Sequence, residues 1–135
     1  METITLAATI DNLQQVTDFA AEKLEAHDCP LKASMQLELV IEEVFVNIAS
    51  YAYEPATGDA TFCVEFEESP VAVVLTFIDG GKAYNPLEKA DPDTSLDADE
   101  REIGGLGIFL VKNNVDEISY ERTDDKNILR MKKLF

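Results

Sequence analysis

Histidine and cysteine are scarce in this chain, and tryptophan does not occur. Among the 135 residues there are one histidine and two cysteines. His27 has no histidine neighbour, and Cys29 and Cys63 do not form the spacing of a zinc or redox motif. We therefore expect no metal centre built from these residues, and two reduced thiols in a cytoplasmic protein.

Basic residues are also few. Lysine and arginine number 11 against 27 aspartates and glutamates, which gives a formal net charge of −16. Such a charge repels nucleic acid and anionic membranes, so we expect neither as a direct partner. It is compatible with a basic protein partner or simply with solubility.

Long apolar runs are missing as well. No run approaches the roughly 18 residues that cross a bilayer. The first residues lack the basic and apolar regions of a signal peptide, so we expect none. The apolar content of 46% is ordinary for a globular protein. The length fits one domain, 1–135, with a substantial core.

Apolar periodicity predicts the element order β-α-α-β-β-loop-α-β-β. This order predicts an α+β two-layer sandwich, in which three helices cover one face of a mixed, mainly antiparallel sheet. The strand at 71–78 is apolar almost throughout and should be central. The predicted segments are a strand at 4–6, helices at about 10–24 and 32–53, strands at 61–67 and 71–78, a helix from 106, and a hairpin of 118–122 and 128–132 around 124–127.

Glu43 and Asn47 are the first pair with chemical potential. They stand four residues apart in the second predicted helix, so they share one helix face at the flank of its apolar stripe. An amide oxygen is a good ligand for Mg²⁺, and a carboxylate one turn away can accept a proton. The alternative is that both are solvated residues on an acidic helix.

Asp79 is the second candidate. It follows the apolar strand, where a carboxylate can accept a hydrogen bond from the exocyclic amine of adenine. Gly80 and Gly81 let the chain turn there without an obstructing side chain. The alternative is an ordinary Asp-Gly turn.

The segment Gly104-Gly105-Leu106-Gly107 directly precedes the third predicted helix. Glycines at a helix start bring backbone N–H groups close to an anion, and the helix dipole adds attraction for phosphates. No Gly-Lys-Ser/Thr follows, so this is not a P-loop, and no strand immediately precedes it, so it is not a Rossmann turn. The alternative is a flexible loop end.

Regular patterning lapses between 80 and 104, and the stretch 88–102 carries seven acids. A loop this long in a small domain is usually functional or disordered. Its acidic residues from Asp91 to Glu102 also match calcium-loop spacing, but Leu96 occupies the place that requires glycine. We interpret this match as chance spacing in an acidic run.

Taken together, the three motifs resemble the ATPase domain shared by histidine kinases and gyrase-type enzymes, the Bergerat (GHKL) fold. Glu43-x-x-x-Asn47 is similar to the N box of that family. Asp79-x-Gly81 is similar to its first glycine box and Gly105-x-Gly107 to its second. The segments 103–111 and 115–120 are similar to its small single-domain branch, the anti-sigma-factor serine kinases of bacteria. The resemblance covers nearly the whole chain.

The resemblance implies a role for each motif residue. Glu43 would be the general base and Asn47 the Mg²⁺ ligand, while Asp79 would bind the adenine amine with Gly81 close to the base. The stretch 86–104 would be the ATP lid. The remaining implied ATP contacts are Gly105, Leu106 and Gly107 at the phosphates, Arg101 as the lid's arginine near the γ-phosphate, and Asn127, which stands where the family often has a Gly-Thr pair beside adenine.

The resemblance also implies a function. Members of this branch phosphorylate a serine on an antagonist protein and otherwise hold a sigma factor inactive, usually as homodimers. We therefore expect a Mg-ATP-dependent serine kinase that regulates transcription through protein partners. Two alternatives stay open at this point: a nucleotide-gated binding protein without kinase turnover, and an acidic interaction module that has lost ATP binding.

Overall fold

A computed structural model of the protein describes residues 1–88 and 105–135. Most of the predicted ATP lid, Arg101 included, and the calcium-like run 91–102 therefore lie outside the described residues. Three helices in the described part pack on one face of a five-stranded sheet, which confirms the predicted α+β sandwich. None of these helices is long and apolar enough to cross a membrane.

The sheet has the strand order β1-β2-β3-β5-β4. Every described pairing is antiparallel, so the sheet is simpler than the mixed one predicted. Short links within β2–β3 and β4–β5 produce hairpins, and β5 pairs with β3 at the centre. The strands are β1 Glu2–Ala7, β2 Asp59–Glu68, β3 Val71–Asp79, β4 Glu117–Thr123 and β5 Lys126–Leu134.

Strand β3 is central, as its apolar sequence predicts. Its residues from Ala72 to Phe77 are all buried, because helices cover one face and side chains of the neighbouring strands crowd the other. The ring of Phe77 packs against the ring of Phe62 on β2, with centroids 4.7 Å apart and planes tilted by 36°. Aromatic pairs at this separation add to the stabilisation from burial itself.

The helices are α1 Leu13–Ala26, α2 Leu31–Asn47 and α3 Gly105–Asn114. A 3-10 turn at Ile10–Asn12 leads into α1, and another spans Pro86–Glu88. Helix α2 buries the stripe Leu37, Ile41 and Phe45, which confirms the predicted core face. The predicted helix to residue 53 instead changes at Asn47 into a π-helical segment, Ile48–Ala52.

The turn between β4 and β5 is tighter than predicted. Only Asp124 and Asp125 form it, and both have positive φ, at 52° and 61°. Two successive residues in the left-handed region are typical of a two-residue hairpin turn whose twist matches the strands. Lys126 and Asn127 therefore belong to β5 rather than to the turn. Asn127 pairs directly with Asp79 of β3.

Candidate functional site

A cavity of about 520 Å³ lies between the helices and one end of the sheet. Its size falls within the range of small-molecule sites, and most of its wall is apolar. The apolar wall consists of Val44, Ile48, Ala52, Phe77, Ala83, Pro86, Ile108, Val111 and Leu129, and the polar part of Asn47, Tyr51, Asp79, Lys82, Tyr84, Tyr120 and Asn127.

Asp79 lies at the end of β3 and is 7% exposed. Its Oδ1 accepts hydrogen bonds from the backbone N–H of Gly81 at 2.9 Å and from the Asn127 side chain at 3.0 Å. Among the residues that the structure describes, none donates to the other oxygen, Oδ2. A buried carboxylate oxygen that borders a cavity without a donor suits a ligand that carries an N–H group.

Asn127 is the second buried polar residue at this end of the cavity. Its Nδ2 donates to Asp79 and to the backbone carbonyl of Lys82 at 2.7 Å. Its Oδ1 accepts from the backbone N–H of Tyr84 at 3.3 Å and from the hydroxyl of Tyr120. Asn127, the predicted adenine contact, therefore lines the cavity, and its amide is hydrogen-bonded to other groups of the protein.

The π-helical segment forms one side of the cavity. Asn47 at the end of α2 and Ile48, Tyr51 and Ala52 after it all line the space. Wide helical turns of this kind are frequent at functional sites because they change the direction in which side chains project. The predicted Mg²⁺ ligand Asn47 thus shares one cavity with Asp79.

Tyr53 ties the end of this segment to the sheet. Its hydroxyl donates to the backbone carbonyl of Asp59 at 2.6 Å and accepts from the N–H of Gly80 at 2.7 Å. The N–H of Lys82 also donates to the Ala52 carbonyl at 2.9 Å. These bonds fix the glycine turn after β3 against the helix layer, and with it the position of Asp79.

The backbone of Ala52 packs closely against Gly81. A Cβ at this position would lie 2.2 Å from the carbonyl oxygen of Ala52, so no side chain fits. Its own carbonyl accepts a hydrogen bond from Arg122 at 2.9 Å. The structure therefore explains Gly81 by the approach of two backbone segments, and a direct contact of Gly81 with a bound base stays a prediction.

Gly107 brings the second glycine box to the N box. A Cβ on Gly107 would lie 2.6 Å from Glu43 Oε2 and 3.7 Å from Asn47 Nδ2. The absence of a side chain lets α3 approach α2 next to these two residues. Gly105 is the first residue of α3, one residue before the predicted start at 106, so this helix starts close to the pair.

The charges around the cavity bear on metal binding. Within the described ranges, no group of three or more His, Cys, Asp or Glu side chains is arranged to hold a metal ion. A Mg²⁺ ion at Asn47 would therefore take most of its ligands from phosphate oxygens and water, which is how this ion commonly binds. Lys82 supplies a positive charge at the cavity wall.

Sequence reasoning missed Tyr53 and Tyr120. Tyr53 lies in no recognisable motif, and the family similarity of segment 115–120 implies no role for Tyr120. One sequence pattern could have indicated the position of Tyr120. In β4 it alternates with exposed Ser119 and Glu121, and this period of two indicates a side chain on the helix-covered face. Its bond to Asn127 depends on strand register and could not be read from composition.

This arrangement defines a class of protein: a nucleotide-binding domain of the ATPase type, with a helix-borne polar pair and a strand-end carboxylate around one cavity. A family model described as a histidine kinase-like ATPase domain matches residues 6–133. The chain belongs to this family, which confirms the resemblance seen in its motifs.

A named relative agrees with this membership. The chain is similar to "Serine/threonine-protein kinase BtrW" of Bordetella bronchiseptica (strain ATCC BAA-588 / NCTC 13252 / RB50), with 30% identity over 95 residues. The matched region covers 70% of this chain and 66% of the relative, just under two thirds of that protein's length.

Proposed function

We propose that this protein is a Mg-ATP-dependent protein serine kinase that phosphorylates an antagonist protein and, through it, regulates a sigma factor. The strongest support is that the structure brings the three sequence motifs close together in space. Glu43 and Asn47 adjoin Gly107. Asn47 shares its cavity with the buried carboxylate of Asp79, whose Oδ2 receives no hydrogen bond from the described part of the chain. Family membership supports ATP as the nucleotide.

The cavity suits ATP at the adenine end. Oδ2 of Asp79 is an acceptor for the 6-amino group, and the apolar wall would exclude water from the base. Selectivity in such a site arises because an unpaired buried acceptor is costly. A base without an amine would leave that oxygen unsatisfied, so we expect adenine to be preferred.

The phosphate end would lie where α2 and α3 meet. Backbone N–H groups at the start of α3, at Gly105 and Leu106, are free of intrahelical partners by the nature of a helix start and attract anions. Asn47 would hold the Mg²⁺ ion, and Arg101 in the lid would add positive charge. When bound, Mg-ATP supplies the γ-phosphoryl group.

Glu43 would act as the general base. Its carboxylate lies beside Asn47 and Gly107 and would accept the proton of a partner's serine hydroxyl during transfer. The nucleophile thus comes from the partner, and no serine or cysteine of this chain takes part. The name of the relative, a serine/threonine-protein kinase, supports a protein substrate.

The partner assignment rests on the resemblance and on charge. A net charge of −16 favours a partner with a basic surface, because opposite potentials steer association. The sigma factor, its antagonist and a homodimeric state are carried over from the single-domain anti-sigma-factor branch. A cytoplasmic location is proposed separately, because Cys29 and Cys63 are unpaired thiols, as expected from the sequence.

A kinase assay with two neighbouring variants tests this function. Candidate antagonist proteins are incubated with the protein and γ-labelled Mg-ATP, and phosphoserine is located by mass spectrometry. Glu43→Gln should lower transfer by about 10²- to 10⁴-fold while Mg-ATP binding persists, because the general base is lost. Glu42→Gln is the matched control and should transfer phosphate normally. Equal transfer by wild type and Glu43→Gln would overturn the assignment of the base.

A further inference from the structure

Asn127 has its full hydrogen-bonding capacity engaged inside the protein. An asparagine side chain offers two N–H donors and two acceptor positions on oxygen. The donors go to Asp79 Oδ1 at 3.0 Å and the Lys82 carbonyl at 2.7 Å. The acceptor positions take the Tyr84 backbone N–H at 3.3 Å and the Tyr120 hydroxyl. No capacity is left for a ligand.

Backbone groups fix the direction in which the Asn127 amide points. The Lys82 carbonyl can only accept a hydrogen bond and the Tyr84 N–H can only donate one. A flipped amide would face an acceptor with oxygen and a donor with nitrogen, so only one orientation satisfies both. In this orientation Nδ2 faces Asp79, and Tyr120 must donate to Oδ1.

The network decides which oxygen of Asp79 is available. Oδ1 already accepts from Asn127 and from the Gly81 backbone, both of which are held in place. The carboxylate cannot rotate without breaking two hydrogen bonds in a buried setting, where each is costly to lose. Oδ2 is therefore held in one position next to the cavity.

We propose that Tyr120 and Asn127 are positioning residues that give the cavity its preference for the 6-amino group of adenine, by holding Asp79 in a single orientation. The inference rests on the proposed binding of ATP. It changes the role of Asn127 from a residue that touches the base to one that acts through Asp79. It also assigns a role to Tyr120, whose hydroxyl spans from β4 to Asn127 on β5.

Two nucleotides that differ only at the amine provide the test. Dissociation constants are measured by calorimetry for ATP and for purine riboside 5′-triphosphate, in which hydrogen replaces the 6-amino group. Wild type should prefer ATP by on the order of 10- to 100-fold, the size expected for a hydrogen bond to a charged group.

Tyr120→Phe removes the hydroxyl and keeps the ring at the cavity wall. We expect ATP affinity to fall about 5- to 10-fold and affinity for the deaminated analogue to change by less than about 2-fold. Asn127→Ala should reduce the preference at least as much. Ser119→Ala is the control, since it removes a hydroxyl from the adjacent residue on the opposite face of the sheet and should keep the wild-type preference.

The outcomes separate this inference from the proposed function. If Tyr120→Phe weakens both nucleotides equally, or leaves the preference unchanged, the positioning role is wrong while ATP binding stands. If wild type binds neither nucleotide, the proposed function fails as well. If wild type binds both with equal affinity, the assignment of Asp79 to the amine is wrong. Because the preference is a ratio measured within one variant, a variant of lower stability still gives a decisive result.

Discussion

Replacement of Gly81 by alanine should destabilise the fold, although the residue lies in a partly exposed turn. The added Cβ would lie 2.2 Å from the carbonyl oxygen of Ala52 and 2.6 Å from its carbonyl carbon. Real atoms do not approach this closely, and both atoms belong to the backbone of the π-helical segment, which cannot rotate away. Either this segment or the turn after β3 must move.

The expected cost follows from the contacts at this point. Overpacking of a close contact costs roughly 1–3 kcal/mol. Movement of the turn would also break the bond from the Lys82 N–H to Ala52, whose net worth is about 1 kcal/mol. The free energy of unfolding should thus fall by about 2–4 kcal/mol, a large share of the roughly 5–15 kcal/mol typical of a domain.

Gly80→Ala is the matched control. A Cβ on Gly80 would meet only the Tyr53 hydroxyl at 3.5 Å, an ordinary contact. Both variants lose the same chain freedom in the unfolded state, so that effect cancels in the comparison. Urea unfolding followed by circular dichroism gives both free energies. A difference of less than about 1 kcal/mol between the two variants would refute the packing argument.

Three further predictions follow from the structure. Gly107→Ala should abolish phosphotransfer, because its Cβ would displace the flexible Glu43 carboxylate. The melting temperature should not fall, because alanine favours a helix interior. A large fall in melting temperature would contradict this prediction. Tyr53→Phe should lower the free energy of unfolding in urea by about 1–2 kcal/mol through loss of its two hydroxyl bonds, and an unchanged value would contradict it. The 2.7 Å hydrogen bond from Lys132 to Glu67 raises the pKa of Lys132 above its ordinary value of 10.5. The pair therefore stabilises the fold at pH values below 10.5. This stabilisation is lost as the pH rises through the pKa of Lys132 in the folded state. Glu67→Gln should therefore lower the melting temperature at pH 8, and should lower it by less at pH values above 10.5. An equal fall in melting temperature in the two pH ranges would contradict the pairing.

The layers of the fold could be predicted because each depends on local pattern. The apolar stripe of α2 and the unbroken apolar run of β3 identify a buried helix and a central strand from neighbours in sequence alone. The three motifs could be located for the same reason. Their order along the chain, rather than any single motif, pointed to the family that the comparison confirms.

The details of the site could not be predicted in this way, because they depend on register and backbone geometry. The place of Asn127 opposite Asp79 follows from the antiparallel pairing of β3 with β5. A two-residue turn at Asp124 and Asp125 sets the separate register of β5 with β4, and the sequence permits its left-handed conformations without requiring them. The π-helical segment, which carries Tyr51 into the cavity wall, likewise has no sequence signature.

The role of Gly81 likewise depends on the three-dimensional packing and not on the local sequence. The sequence places a glycine two residues after the strand-end aspartate, and the family resemblance implies that a bound base lies close to it. The structure shows the approach of Ala52 from the helix layer instead. A glycine needed for packing and one needed for a ligand look alike in sequence, because both report only the absence of room for a side chain.

Binding of Mg-ATP to the cavity is the central claim, and thermal unfolding tests it most directly. Wild type, Asp79→Asn and Asn47→Ala are melted with and without Mg-ATP, and with ATP plus a magnesium chelator. At about 100 times the dissociation constant, binding should stabilise wild type by roughly 2.7 kcal/mol. We predict that this shift requires Mg²⁺ and is lost in both variants. An unchanged melting temperature of wild type at millimolar Mg-ATP, or an equal shift in all three proteins, would contradict the account.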